Sequence, residues 1–210
     1  LGINIPTGKD SLSMKQKYPD QEVLAPGTVI ISAAAHCNDI RKVVEPVFRK
    51  DGGPIYYLNL SGDTHKLGGS SFAQVLGKVG KEAPTVKDPE NFGRAFDALQ
   101  ECIREWRILA GHDVASGGLI TTLLEMAFAG RSGVTIQLDE LGDDPVAALF
   151  TEELGAVIQV RHSDTDTVLE ALHLAGLGHY SHVIGALNDA DQITITYDTR
   201  IQLAGARIDL

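Results

Sequence analysis

The stretch AGHDVASGGLITTLLEMAFAGRSGVTIQL, residues 110–138, sets the tightest limit on the fold. Leu119–Ala129 is apolar nearly all round, and a helix of that kind must be covered on every side. Gly117-Gly118 leads into it, and Gly130 and Gly133 end it. Val134, Ile136 and Leu138 then alternate as a strand. A wholly buried helix followed directly by a strand requires a sheet to pack on.

Other segments supply that sheet. Thr28–Ala35 (TVIISAAA) reads as a buried strand, and Ile55–Leu60 (IYYLNL) as a second, entered through the turn Asp51-Gly52-Gly53-Pro54. LGAVIQV (154–160) is another. Val183–Leu187 and Ile193–Tyr197 read as a hairpin closing on Asn188-Asp189-Ala190-Asp191. The chain after Asp198 reads as short strand or extended chain.

Helices interleave. Gly68-Gly69-Ser70-Ser71 opens a short one with Phe72, Val75, Leu76 and Val79 as its apolar face. Asp88-Pro89-Glu90 is a strong helix start, and Phe92, Phe96, Leu99, Ile103, Trp106 and Ala110 follow as one stripe. Ser163 and Asp166 resemble a capping box that begins a helix through Leu174. The expected fold class is α/β: a mixed, α+β-like sheet with helices packed on it. The expected organisation is an arm over 1–26, mostly loop and broken by Pro6, Gly8, Pro19 and Pro26, and one domain over 27–210.

A net charge of −10 argues against broad nucleic-acid binding, because an acidic surface repels phosphate backbones. Cys37 and Cys102 are too few for a disulfide framework or a four-cysteine zinc site and read as buried free thiols. No apolar run approaches a membrane span. These features lead to the expectation of a cytoplasmic protein without membrane or nucleic-acid partners. Leu1 is not methionine, and the first dozen residues read as the middle of something longer.

Two acidic stretches carry candidate chemistry. PTGKDSLSM (6–14) looks like the end of a P-loop, but Gly2 and Gly8 enclose five residues instead of four, and Asp10 stands where a hydroxyl should hold magnesium. It is open to two readings. One is a surface turn capped by Asp10 or Ser11. The other is a metal–phosphate contact, with Asp10 as an oxygen ligand and Lys9 or the serines meeting phosphate. In HDVASGG, Asp113 ends a short strand before a glycine-rich helix entry. It can ligate a metal while N–H groups of Ser116–Gly118 face phosphate, or it can cap the helix. His112 reads as its hydrogen-bonded partner. Gly68-Gly69-Ser70 repeats the glycine-to-helix junction. Glu152-Glu153 reads as a solvated pair or a cation or ribose contact. His179 and His182 resemble a metal pair only superficially.

PTGKDSLSMK, LGGSSFAQVLGKVG, HDVASGGLITTLLEMAFAG and ALFTEELGAVIQV occur in that order between about Pro6 and Ile195. Together they resemble the second half of the synthetase region of large-type phosphoribosylformylglycinamidine synthase. The resemblance implies the C-terminal subdomain of that half, with a fold like the C-terminal domain of aminoimidazole ribonucleotide synthetase. It implies an ATP-dependent ligase of purine biosynthesis that converts formylglycinamide ribonucleotide, glutamine and ATP to formylglycinamidine ribonucleotide, inactive as this piece alone. Implied cofactors are Mg2+ and ATP or ADP. Implied partners are the remaining synthetase chain, with its N-terminal subdomain, first half and glutaminase domain, and a small phosphorylated substrate. By the same resemblance Asp113 is a metal ligand at the structural nucleotide, position 115 is a nucleotide contact, and Lys9, Asp10 and Ser11 belong to the working site, with Asp10 a metal ligand. Gly68, Gly69, Ser70, Ser116, Gly117 and Gly118 are candidate phosphate contacts by their glycine-to-helix chemistry, or a plain helix start at Gly68–Ser70. Ala115 stands where many relatives have serine, which leaves that contact to Ser116 or removes it. The alternative is a non-catalytic nucleotide-binding or structural module of the same fold.

Overall fold

The computed structural model describes residues 4–11, 13–25 and 28–210. It divides into two compact units, one up to Arg41 and one from Lys42. In the first, β1 (Thr7–Ser11) pairs antiparallel with β4 (Thr28–Ser32), and β2 (Lys15–Lys17) with β3 (Glu22–Leu24). The segment expected to be mostly loop therefore holds three short strands. The expected buried strand is formed as β4 but is not buried: Val29, Ile30 and Ile31 are 64%, 56% and 60% exposed. β-Branched residues favour the extended backbone by themselves, whereas burial needs a covering layer. Cys37 is likewise exposed, and only Cys102 is a buried thiol. Gly2 and Pro26 lie outside the described residues.

The second unit is built on a seven-stranded sheet. Its strands are β5 (Ile55–Asn59), β6 (Ile108–Asp113), β7 (Gly133–Gln137), β8 (Gly155–Val160), β9 (Ser181–Asn188), β10 (Gln192–Tyr197) and β11 (Arg200–Ala206). They lie in the order β11-β10-β7-β9-β5-β8-β6. Every pairing is antiparallel except that of β10 with β7. The expected hairpin of β9 with β10 does not form, because β7 lies between them. β10 instead turns back on β11 through Asp198 and Thr199, both at positive φ (47° and 61°), as a two-residue I′ turn requires.

Five helices cover the sheet: α1 (Ser71–Val75), α2 (Pro89–Arg104), α3 (Gly118–Gly130), α4 (Pro145–Phe150) and α5 (Thr165–Leu172). The sheet has a core on each face, and β5, buried throughout, supplies both. Ile55 and Tyr57 join Leu119, Leu123 and Met126 of α3. Tyr56 and Leu58 face Ala95 and Leu99 of α2 and Val168 and Leu172 of α5. Each large apolar side chain so buried contributes about 1.5–3 kcal/mol. The result is three layers, helix–sheet–helix. α3 buries Leu119, Thr122, Leu123, Met126 and Ala127, whereas Glu125, Phe128 and Ala129 are exposed, so the expected cover on every side is not complete.

Asp88 caps α2 as its sequence signals, accepting from the backbone nitrogens of Glu90 (3.1 Å) and Asn91 (2.9 Å). The apolar stripe holds in part: Leu99 is buried, and Phe92 and Ile103 pack against the same core. The buried face of α2 is Asn91, Ala95, Leu99 and Cys102, while Phe96 is half exposed. The helix stops at Arg104, Trp106 takes a positive φ of 61°, and Ala110 belongs to β6. On α1 only Ala73 is buried; Val75, Leu76 and Val79 face outward, and Phe72 stacks on Phe150 at 4.5 Å. The expected capping box is absent, since α5 starts at Thr165 after a 3-10 turn and Asp164 makes no side-chain cap bond. No helix among the described residues is long and apolar enough to cross a membrane.

Candidate functional site

One end of the sheet gathers most of the flagged residues of the second unit. β6 ends at Asp113 where β8 begins, with Asp113 opposite Ala156. β5 ends there too, with Asn59 opposite Gly155, and β9 starts there, with Leu58 opposite Ser181. The connections leaving these strand ends carry Asp63–Ser71, Val114–Gly118, Glu152-Glu153 and His179.

The Asp113 side chain is 82% exposed. Its Oδ1 lies 3.2 Å from His112 Nδ1, and the other ring nitrogen of His112 meets Glu125 Oε2 at 3.1 Å. The two ring nitrogens of His112 thus face two carboxylates, Asp113 on one side and Glu125 on the other. Asp113 does not cap α3: the N-cap is Gly117, with no side-chain cap bond. The carboxylate stands open at the mouth of a cavity of about 390 Å³ whose wall includes Phe96, Leu99 and Ile103.

Glu152 ties the two glycine-to-helix junctions together. Its Oε1 accepts hydrogen bonds from Gly117 N and Ser71 N, both at 2.8 Å. Burial opposes the charge, but the N–H groups of Gly117 and Ser71 and the Ser71 hydroxyl outweigh it and hold the carboxyl below its ordinary value. The other junction nitrogens are also engaged. Gly68 donates to Glu82 O (2.8 Å), Gly69 to Val79 O (2.6 Å), Ser70 to Leu67 O (3.3 Å) and Gly118 to Ala115 O (3.0 Å). Ser70 Oγ caps α1 by accepting from Ala73 N at 3.2 Å. Ala115 and Ser116 are exposed on the turn that links β6 to α3.

Close packing explains two of the glycines. A Cβ on Gly118, at φ +78°, would lie 2.7 Å from Leu149 O, Phe150 C and Thr151 O; one on Gly68 would lie 2.3 Å from Glu82 O. These junctions are seams where backbone meets backbone, closed on the inside by a carboxylate.

Glu153 differs sharply from its neighbour. It is fully buried, and neither carboxylate oxygen has a hydrogen-bond partner. Burial pushes its carboxyl above the ordinary value, and nearby polar groups of Ser61, Lys66 and Thr85 offset this only in part. The expectation of a solvated pair therefore fails for both glutamates. Chain position gave no sign of this, because adjacent side chains can leave the backbone in quite different directions.

In the first unit, the GKDS segment is strand, not loop or turn. Lys9 pairs across from Ile30, Asp10 from Val29 and Ser11 from Thr28. Successive strand residues point to opposite faces, so Lys9 and Asp10 diverge. Both are exposed, and Lys9 Nζ donates to Asp10 O at 2.5 Å. Among the described residues no three His, Cys, Asp or Glu side chains are arranged to hold a metal.

A mixed sheet between two helical layers, with paired glycine junctions tied at one loop-rich end, defines a three-layer α/β domain. The AIR synthase related protein, C-terminal domain, matches residues 50–198, and the chain belongs to that family. Among solved structures, PurL of T. maritima complexed with ATP is similar with a TM-score of 0.63 and 15% identity, over 87% of this chain and 28% of that one. T. maritima PurL complexed with FGAR gives 0.64 and 17%, over 87% and 30%. Hydrogenase maturation protein HypE gives 0.55 and 15%, over 83% and 58%. At these identities the likeness is one of fold. The chain spans less than a third of the PurL chains it matches.

Proposed function

We propose that this chain is the C-terminal subdomain of the second synthetase half of phosphoribosylformylglycinamidine synthase, a part of an ATP-dependent ligase of purine biosynthesis. The observation that carries the reading is the convergence, at one sheet end, of Asp113, the glycine junctions and the EELG segment. These come from three of the four motifs on which the resemblance rests. The ATP and FGAR complexes of the similar PurL structures agree with it.

The residues present fit a magnesium-bound nucleotide as one side of a site. Magnesium is commonly held by one or two carboxylates, with waters and phosphate oxygens completing its shell. Asp113, exposed and oriented by His112, supplies one such carboxylate. Bound there, the ion would neutralise phosphate charge. Ser116 is free to meet a phosphate from the same turn, Ala115 offers only backbone, and Gly117 offers its N–H only if Glu152 withdraws. Gly68, Gly69 and Ser70 position that seam. Lys9, Asp10 and Ser11 remain candidates for the separate working site, with Asp10 as a metal ligand there. The N-terminal subdomain, first half and glutaminase domain of the longer synthetase supply the rest, so this chain alone is inactive.

The test has two parts. An ammonia-dependent synthetase assay on the 210-residue chain is expected to give no turnover; turnover refutes the reading. Calorimetric titration with ADP and Mg2+ is expected to show poor binding, improved when the N-terminal synthetase subdomain is added. Tight binding by the chain alone instead favours a self-sufficient nucleotide-binding module of the same fold.

A further inference from the structure

The far end of the sheet carries a cavity of about 540 Å³ that the proposed nucleotide contacts do not touch. It lies where β5, β7 and β10 begin and β8, β9 and β11 finish, at the edge opposite Asp113. The volume falls within the range of small-molecule sites.

Its walls are fixed by the chain itself. Gly53 N donates to Val160 O at 2.9 Å, and a Cβ on Gly53 would lie 2.6 Å from the same oxygen, so the turn before β5 is locked onto the end of β8. Across the cavity, Asn188 Nδ2 donates to Thr135 Oγ1 (3.1 Å) and Gln192 O (2.9 Å), and its Oδ1 accepts from Ala190 N (3.2 Å). Arg207 ties the end of β11 to the start of β10 through a two-point pair with Asp191, Nε to Oδ1 at 2.7 Å and Nη2 to Oδ2 at 2.9 Å. Walls held this way have little order left to lose when a ligand enters.

Two cations in this lining are left over. Neither the Lys50 nor the Arg131 side chain makes a hydrogen bond or ion pair with any described residue. Both are exposed and long enough to turn into the cavity. The charge of Lys50 is felt by Asp191, which puts the ammonium on the cavity side, but Asp191 is already committed to Arg207.

Arg131 also holds an unusual backbone place. It closes α3 at φ 47° and ψ 49°, the left-handed conformation that favours glycine. Glycine stands one residue earlier instead, where a Cβ would meet Phe48 O at 2.7 Å. A helix C-terminus favours a cation, yet one placed in the last turn of α3 would serve that end without strain. An arginine kept in a strained conformation beside a cavity points to a task for its side chain.

The chemistry selects the class of ligand. Unpaired lysine and arginine side chains call for an anionic oxygen group, and the planar guanidinium matches phosphate or carboxylate at two points. A cationic ligand would meet Lys50 and Arg131 with only Asp189 unpaired to receive it. Asp189, exposed on the rim, and a net charge of −10 repel an extended polyanion. A compact anion is left.

We propose that this cavity binds a small molecule through one phosphate or carboxylate group, held by Lys50 and Arg131. The inference goes beyond the nucleotide reading: it uses the opposite sheet end, and loss of ADP binding leaves it standing.

The test follows the backbone amide resonances of the 210-residue chain by NMR, at constant ionic strength, during separate titrations with inorganic phosphate, succinate and putrescine. Saturable shifts of Gly52, Gly53, Arg131 and Ser132 with phosphate or succinate, and none with putrescine, are expected; the anion that responds distinguishes phosphate from carboxylate recognition. The amides of Gly117 and Gly118 report the nucleotide end separately. Lys50→Gln and Arg131→Gly are each expected to weaken the response by about tenfold or more. Arg131→Gly should also keep or raise the ligand-free melting temperature, because glycine takes the left-handed conformation without strain. Five results each overturn the proposal: no saturation by either anion, saturation by putrescine, shifts confined to Gly117 and Gly118, unchanged affinity in either variant, or a lower ligand-free melting temperature in Arg131→Gly.

Discussion

The carboxylate of Glu152 accepts a 2.8 Å hydrogen bond from the backbone nitrogen of Gly117, at the mouth of the most buried helix in the molecule. The same oxygen takes the Ser71 nitrogen at 2.8 Å, so one side chain pins α1 to α3. Replacing Glu152 with alanine is expected to cost about 2–4 kcal/mol, because two charge-assisted bonds are lost and two amides are left bare. Glutamine, which keeps an acceptor oxygen, should cost about half as much. Urea unfolding of the two variants checks the order. The native pKa of this carboxyl is depressed, so its contribution is present above the unfolded pKa and is lost as pH falls through the folded one.

Glu153 carries the opposite sign. Its folded pKa is raised by burial, so its contribution is complete below about 4.5, the ordinary glutamate value, and is lost as pH rises through the folded value. Glu153→Gln cannot ionise. Its stability relative to wild type is therefore expected to grow as the pH is raised from 4 to 8, roughly the span over which a raised carboxyl titrates. Melting curves at matched ionic strength measure the difference. A gap that stays constant with pH contradicts the assignment.

Asp113→Asn is expected to leave the fold intact, within about 0.5 kcal/mol, because the side chain is mostly in solvent. On the proposed function it weakens Mg2+-dependent ADP binding by about tenfold, equivalent to about 1.4 kcal/mol. Titration in the presence of the N-terminal synthetase subdomain reads the second effect, and thermal melting reads the first.

Gly118→Ala is expected to destabilise by about 2–4 kcal/mol, since it combines a positive φ with a Cβ driven against backbone that cannot step aside. Gly142, also at positive φ but with nothing within 4 Å of a Cβ, is the control. Alanine there costs only the conformational part, about 1 kcal/mol. Equal losses at the two positions would show that packing at the seam is unimportant.

Local patterns in the sequence carried the element types. The Asp88 cap, the largely apolar Leu119–Ala129 helix and the alternation of Val134 and Ile136 all sit in structure where short-range chemistry places them. What failed was long-range. Asn188–Asp191 has hairpin composition, but Asn188 Nδ2 donates to Thr135 Oγ1 of β7 at 3.1 Å, across an inserted strand that no nearby residue announces. The α2 stripe held in part. Leu99 is buried and Phe92 and Ile103 pack against the same core, but Asn91 and Ala95 are more buried than Phe92 and Phe96, so the face is turned slightly from the one hydrophobic size selects. The place of Asp113 at the end of β6, ahead of two glycines, was legible in the sequence. Glu152 and Glu153 were not, because their divergent surroundings come from loops that start at other strands.

The insertion of β7 between β9 and β10 has a kinetic consequence. Its parallel partner arrives late: the Thr196 hydroxyl that donates to Ile136 O lies 60 residues further along the chain. Until that span is gathered in, β7 has one edge open and the β10–β11 ribbon has nothing to dock against. Closing so long a loop precedes any reward from the contacts it permits. The C-terminal ribbon is therefore the last part of the sheet to settle during synthesis, and the part whose truncation would leave a sticky, half-finished margin.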